Sequence, residues 1–302
     1  MQFTLWSDIS TTDWAATNRA EVKHQRGSTV QRCEPHQHEA FMIIRYLSIV
    51  ATYFVTLGLT SIVVAQGQPA GGPTSILITY RSEPANRPAF RAYLQKDLAP
   101  RLAKLQAAGV LRSYLILFNP FTTADTWDAM SILRFATYAQ TQRWKQIERT
   151  EPGGLTAAGL RLAKPINTYS ADLPWEAHGE DPGPEEEGVY YVIPYEYSSA
   201  DQYRKYIDGY VIPQVAGWMR EGVLAGYRIF MNRYPVGPQW DSLFVLRYRD
   251  LESFGRREEI VAKVRLGLQD DPEWKQFNAI KQTIRTESEN IIAEALQPLH
   301  SP

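Results

Sequence analysis

Gly109-Val110-Leu111, followed by Tyr114, Asn119, Trp127-Asp128 and Leu133-Arg134, comes back 113 positions later as Gly222-Val223-Leu224, Tyr227, Asn232, Trp240-Asp241 and Leu246-Arg247. Upstream, Tyr93 and Pro100 return at the same spacing as Tyr206 and Pro213, so the match holds across 42 positions without a gap. Farther on, Trp144-Lys145-Gln146 reappears as Trp274-Lys275-Gln276. Self-similarity at a fixed spacing marks a repeated supersecondary unit. The chain therefore reads as a tandem repeat, and one copy can be interpreted and then doubled.

Working outward from that stretch, each copy yields the same order of elements. Ser75 to Tyr80 is a short apolar run and predicts a strand. Phe90, Leu94, Leu98, Leu102 and Leu105 form a helical stripe, matched by Tyr203, Ile207, Val211, Val215 and Trp218. An apolar face kept while its side chains change size is what a buried helix face requires. Pro100 and Pro213 lie inside the stripe, where a missing amide and a crowded carbonyl predict a kink or a split. Gly109 and Gly222 fall where a left-handed helix cap favours glycine.

Residues 111–119 and 224–232 alternate and are rich in β-formers, as are 129–135 and 242–248, so all four predict strands. Helical stretches follow, over 136–149 in the first copy. In the second, helix runs from 250 to about 286, with a break at Asp271-Pro272. Final strands are expected over 166–173 and 290–296. The predicted division is 75–173 for the first unit, an acidic Pro/Gly-rich linker over 174–188, 189–296 for the second unit and a tail over 297–302.

The order βαββαβ is that of a ferredoxin-like α+β unit, an antiparallel sheet with helices on one face. Its other face must be covered, and two fused copies can cover each other by packing sheet to sheet. In element order and repetition, residues 75–296 resemble the dimeric α+β-barrel superfamily, which includes antibiotic-biosynthesis monooxygenases, NIPSNAP-like proteins and stress-responsive barrel proteins. The resemblance implies an α+β barrel made within one chain. It rests on architecture rather than on a diagnostic motif, so it implies no particular reaction.

Strong chemical motifs are missing. There is no phosphate-cradling glycine loop, no nucleophile elbow and no Cys/His metal spacing. From Gln66 onward the histidines are His178, in the linker, and His300, in the tail. That argues against a histidine-based triad, a zinc centre or a His-ligated haem, and no cofactor or metal is expected. His36-Gln37-His38 has metal-like spacing but precedes the export segment described below.

The repeated polar residues are the candidate ligand-binding set: Tyr114, Asn119, Trp127 and Arg134, with Tyr227, Asn232, Trp240 and Arg247. Some cofactor-independent monooxygenases of the superfamily use Asn, Trp, Tyr and Arg to hold a phenolic anion that reacts with oxygen, although no position-by-position match carries those roles over. Each candidate also has a framework reading. The asparagines can close turns, the tryptophans can cap a barrel end, and Arg134 can anchor a carboxylate on a helix. Asp128 and Arg134 share a strand face six residues apart, about 20 Å, too far to pair directly. Arginines facing a pocket without a carboxylate partner favour an anion site; salt-bridged ones favour framework.

A net charge of -1 offers no basic field for nucleic acid. Residues 42–65 read as a secretory signal: Met42 as a start, Arg45 as the basic residue, an uncharged apolar run over 46–64, and Val63 and Ala65 before a cut that leaves Gln66 first. The rival reading is a retained membrane anchor, since the run approaches spanning length. Polar residues 1–41, which hold Cys33, then precede the signal as an extension or a start placed too early. Residues 66–74 form a short linker.

The expectation is thus a periplasmic or secreted protein that binds a small apolar or aromatic molecule. The enzyme alternative is a cofactor-independent monooxygenase or isomerase with Arg134 and Arg247 stabilising an anion. A third reading is a structural or protein-interaction module. The sequence leaves the oligomeric state open.

Overall fold

A computed structural model describes residues 74–121, 126–180, 182–234 and 240–298. The extension, the signal segment, most of the 66–74 linker and the end of the tail lie outside the described residues. Among the described residues, no helix is long and apolar enough to cross a membrane.

In chain order the first half contains β1 (Ser75–Ser82), α1 (Arg87–Tyr93), α2 (Ala99–Ala107), β2 (Ser113–Phe118), β3 (Ala129–Arg134), α3 (Tyr138–Thr150), α4 (Ala157–Leu160) and β4 (Ala163–His178). The second contains β5 (Val189–Tyr197), α5 (Ala200–Tyr206), α6 (Ile212–Arg220), β6 (Leu224–Asn232), β7 (Ser242–Tyr248), α7 (Leu251–Gly255), α8 (Arg257–Leu268), α9 (Pro272–Ile284), β8 (Arg285–Glu287) and β9 (Ile291–Ala295).

All the pairings are antiparallel, and the strands run β7-β6-β4-β1-β3-β2-β9-β5, with β5 pairing β7 again to close the ring. β8 continues the line of β9 along β5. Within each half the order is fourth-first-third-second, the ferredoxin-like arrangement. Each half's last strand pairs with the other half's second strand, β4 with β6 and β9 with β2. This is the dimeric α+β-barrel fold, with both halves in one chain.

Alternation along the strands sorts the core into three parts. Inside the barrel, Leu77, Leu117, Ile132, Val192, Phe230 and Val245 meet. Outside it, Ile78 and Tyr80 pack on Phe90, Leu94 and Leu98 in the first half. In the second half, Ile193 and Ile229 pack on Tyr203, Ile207, Val215 and Trp218.

Two local outcomes differ from the sequence expectation. Where the sequence predicts a kink or a split at Pro100 and Pro213, the regular α-helix is interrupted but the helical path is not broken. Each proline follows a wide π turn, Leu94–Leu98 and Ile207–Val211, in which the amides of Ala99 and Ile212 reach back five residues to Leu94 and Ile207. Placed at the start of the next helical segment, the prolines sit where an amide donor is dispensable. β4 also runs on to His178, into the stretch read as a linker, because its second part pairs with β6. Pro174 is tolerated there because the pairing register shifts between Asp172 and Trp175. Gly109 and Gly222 do take left-handed caps, with φ of 69° and 75°.

The halves share a hydrogen-bond frame at equivalent positions. Asn119 and Asn232 donate their amides to the carbonyls of Asp128 and Asp241 at 2.9 and 2.8 Å, and those aspartates donate theirs to Tyr80 and Tyr195 at 2.9 and 2.8 Å. The aspartate side chains accept from Ser82 N at 2.6 Å and Tyr197 N at 3.0 Å. In the first half, Arg87 is also buried against Asp128 and donates to the Asn119 carbonyl at 2.6 Å. Asp128→Asn leaves a buried guanidinium without its counter-charge, and should cost roughly 3–5 kcal/mol. Asp241→Asn, without an arginine partner among the described residues, should cost about 1 kcal/mol. Chemical denaturation of the two variants checks this, and equal losses would show that Arg87 contributes nothing to the difference.

Candidate functional site

The candidate residues fall into separate places. The barrel has two ends. At one, the strand ends carrying Trp127 and Trp240 come together, one from each half. At the other lie Arg134 and Arg247. Tyr114 and Tyr227 lie along the strands towards the arginine end, where Tyr227 borders the small cavity described below, and both pack against the helix-facing cores.

At the tryptophan end is a cavity of about 340 Å³, lined from both halves. Trp127, Met130 and Thr79 come from one side, and Trp240, Leu243 and Pro194 hold the corresponding positions on the other. Tyr169 completes the wall, its ring 4.8 Å from that of Trp240. Thr79 is 3% exposed and its hydroxyl makes no well-formed hydrogen bond. Burial pushes the Tyr169 phenol above its ordinary value, and the nearby Asn167 and Thr79 side chains pull it back only in part, so it stays a neutral hydroxyl at physiological pH. The cavity's charged residues, Glu196 and Glu289, are solvent-exposed.

Asn119 and Asn232 stand beside this end but turn their side chains to the backbone. Their Nδ2 atoms donate to the carbonyls of Trp127 and Trp240 at 3.2 and 3.1 Å. Their Oδ1 atoms accept from Phe121 N at 2.9 Å and Tyr234 N at 3.3 Å. These are Asx-type turns, and they hold the tryptophans in place.

At the arginine end, Arg134 donates to Glu176 at 2.7 Å, and Arg228 donates to the same carboxylate oxygen at 3.1 Å. The carboxylate is on β4, not on a helix as the sequence suggested. Arg247 has no carboxylate within salt-bridge distance among the described residues; it donates to the Gly183 carbonyl at 2.8 Å. Its Nε is buried and unpartnered. The cavity there, bordered by Arg228, Arg247, Tyr190 and Glu185, is only about 30 Å³. That is room for about one water, not for an organic ligand.

The sequence did not single out Thr79, Tyr169, Glu196 and Glu289 as site residues, since none lies in the identical set. Thr79 and Pro194 were discoverable in principle, because strand pairing puts them opposite Met130 and Leu243, three residues on from the tryptophans. Glu176 and Arg228 were hidden for another reason: the first lies in the apparent linker and the second has no counterpart at the 113 spacing.

No protein-family model and no curated protein matches the sequence. Among solved structures, the chain is similar to a provisionally assigned monooxygenase from Lactobacillus acidophilus, with TM-score 0.48 and 11% identity over 74% of this chain and 94% of that one. An anthrone oxidase-like protein gives 0.48 and 9%, over 76% and 93%. A heme-binding protein from Thermus thermophilus gives 0.42 and 13%, over 75% and 92%. These likenesses concern backbone course; the fold assignment stands on strand order and register. His178, the one histidine among the described residues, lies at the arginine end against Glu176 at 3.3 Å, so among the described residues no imidazole borders the tryptophan cavity.

Burial alone would raise the Glu176 carboxyl, but Arg134 and Arg228 outweigh it and hold it below its ordinary value of 4.5. A depressed carboxylate contributes stability above its ordinary pKa and loses it as pH falls through the folded-state value. Glu176→Gln should therefore cost about 1–3 kcal/mol at pH 7, with Arg134 and Arg228 left facing each other. The gap between variant and parent should shrink at about pH 3. Urea unfolding at the two pH values measures it, and a gap that stays constant would mean the ion cluster is not its source.

Proposed function

We propose that the protein binds one small, planar, largely apolar molecule per chain, held in the cavity between Trp127 and Trp240. The observation that carries this is a cavity of about 340 Å³ shared by both halves and walled by two tryptophans, a tyrosine and aliphatic side chains, with a few polar groups among them. Sites for small organic ligands have this size and makeup. Because equivalent residues of the two halves meet in one cavity, the stoichiometry is one ligand per chain.

Binding is better supported than turnover. The oxygenase or isomerase reading needs an arginine beside the substrate anion. Arg134 is held by Glu176 at the other end of the barrel, and the space beside Arg247 is too small for a substrate. The interaction-module reading has no feature of comparable definition behind it.

Leu243→Trp should fill the cavity from one wall and weaken binding of 3-methylindole about tenfold or more, a loss of roughly 1.4 kcal/mol or more. Titration calorimetry on the folded variant and the parent tests this. Unchanged affinity would place the ligand elsewhere.

We also propose export, on the strength of the apolar segment and small-residue cleavage pattern at 42–65. N-terminal sequencing of the exported protein should then begin near Gln66. An intact Met1 terminus in the membrane fraction would favour the anchor instead.

A further inference from the structure

Resting on the binding reading above, we infer that the cavity takes an organic cation, an ammonium group carried on a compact or planar apolar body. Trp127, Trp240 and Tyr169 present three aromatic rings to one space. The faces of such rings are the negative ends of their quadrupoles, and indole is the strongest of them for holding a cation. Aromatic walls alone would suit any flat apolar molecule, so the charges around them decide the class.

Those charges have one sign. Glu196, on β5, and Glu289, between β8 and β9, belong to the lining, and among the described residues no lysine, arginine or histidine does. Lys164, opposite Arg81 on β4, is exposed and outside the lining, and the arginines near this end are otherwise occupied. Arg87 is spent on Asp128. Arg81, which holds in β1 the position that Glu196 holds in β5, is outside the lining and has its own partner. Arg285 lies over the Tyr195 ring on the outer side of the sheet and binds Glu287 at 3.1 Å. Arg134, Arg228 and Arg247 gather at the opposite end of the barrel.

A second feature of the wall suits a donor on the ligand. The Thr79 hydroxyl is enclosed in the cavity wall without a well-formed hydrogen bond. The Tyr169 phenol is the polar group beside it, and an ammonium N–H would give the Thr79 oxygen a full donor. The neutral Tyr169 phenol beside it offers a second acceptor. A carboxylate ligand would instead meet two glutamates at the rim. The halves are equivalent in their tryptophans but not in their charges, so the ammonium belongs on the Glu196 and Glu289 side.

The test uses the full chain and three ligands that share an indole ring and differ in charge: tryptamine, 3-methylindole and indole-3-acetate. Calorimetry should rank tryptamine above 3-methylindole, and both above indole-3-acetate, with roughly tenfold or more between the two charged ligands. Raising the salt concentration should weaken tryptamine selectively, because the glutamates are exposed. The Glu196→Gln, Glu289→Gln double variant should bring the affinity ratio of tryptamine to 3-methylindole close to one. If 3-methylindole binds but indole-3-acetate equals or exceeds tryptamine, the cation inference is overturned and the binding reading survives. If none of the three binds, the binding reading falls and this inference falls with it.

Discussion

An antiparallel sheet with helices on one side leaves its second face and both of its edges bare, and everything else in this protein follows from how those are covered. The two halves supply each other's cover. β4 reaches past its own half to pair with β6, and β9 pairs with β2. Closure removes the exposed edges that would otherwise recruit foreign strands. It also fixes which side chains face inward, since alternation leaves no choice once the helices claim the other face. The inward set must then fill a barrel interior, and its two ends are where filling becomes difficult.

The halves are alike where the frame needs them and different where one interaction suffices. Both use an asparagine to pin a tryptophan carbonyl and an aspartate to pin the end of the first strand. The buried pairing of Arg87 with Asp128 has no equivalent at Asp241 among the described residues. The two crossing seams are unequal as well. β4 and β6 pair from Ala171 to His178, whereas β2 and β9 pair over Leu117 with Ala295 and Phe118 with Glu294, extended by the Leu296 amide donating to the Ile116 carbonyl at 2.8 Å. The longer seam draws the start of the acidic, proline-containing stretch into β4, which is why it is strand as far as His178, before the connection that leads to β5 at Val189.

The repeat at 113 positions made the fold legible, because it located paired strands, a shared helix face and the capping glycines without reference to any contact. The wide helical turns were not legible. Proline forbids a regular amide bond, but whether a helix splits or widens depends on the packing of Leu94, Leu98, Ile207 and Val211 against the sheet. The site was half legible for a related reason. Identity between copies selects residues that hold the frame, which is why Asn119, Asn232, Trp127 and Trp240 stood out. The cavity's chemistry lies instead in Thr79, Tyr169, Glu196 and Glu289, which have no identical counterparts. Symmetric positions build the cavity, and asymmetric ones give it a charge.

Why the open space inside the barrel sits at the tryptophan end rather than among Arg134, Arg228 and Arg247 comes down to side-chain shape. Arginine and glutamate are long and jointed, so Arg134, Arg228 and Glu176 can fold into contact and close most of the volume between them. Indole is rigid. Trp127 and Trp240 are held at their backbones by the flanking asparagine turns, and Tyr169 packs against one of them. Walls of that kind cannot collapse onto a void without breaking the turns behind them, so the space persists with its shape already set. A ligand entering it loses little to reorganisation of the protein, which is the condition under which modest contacts produce useful affinity.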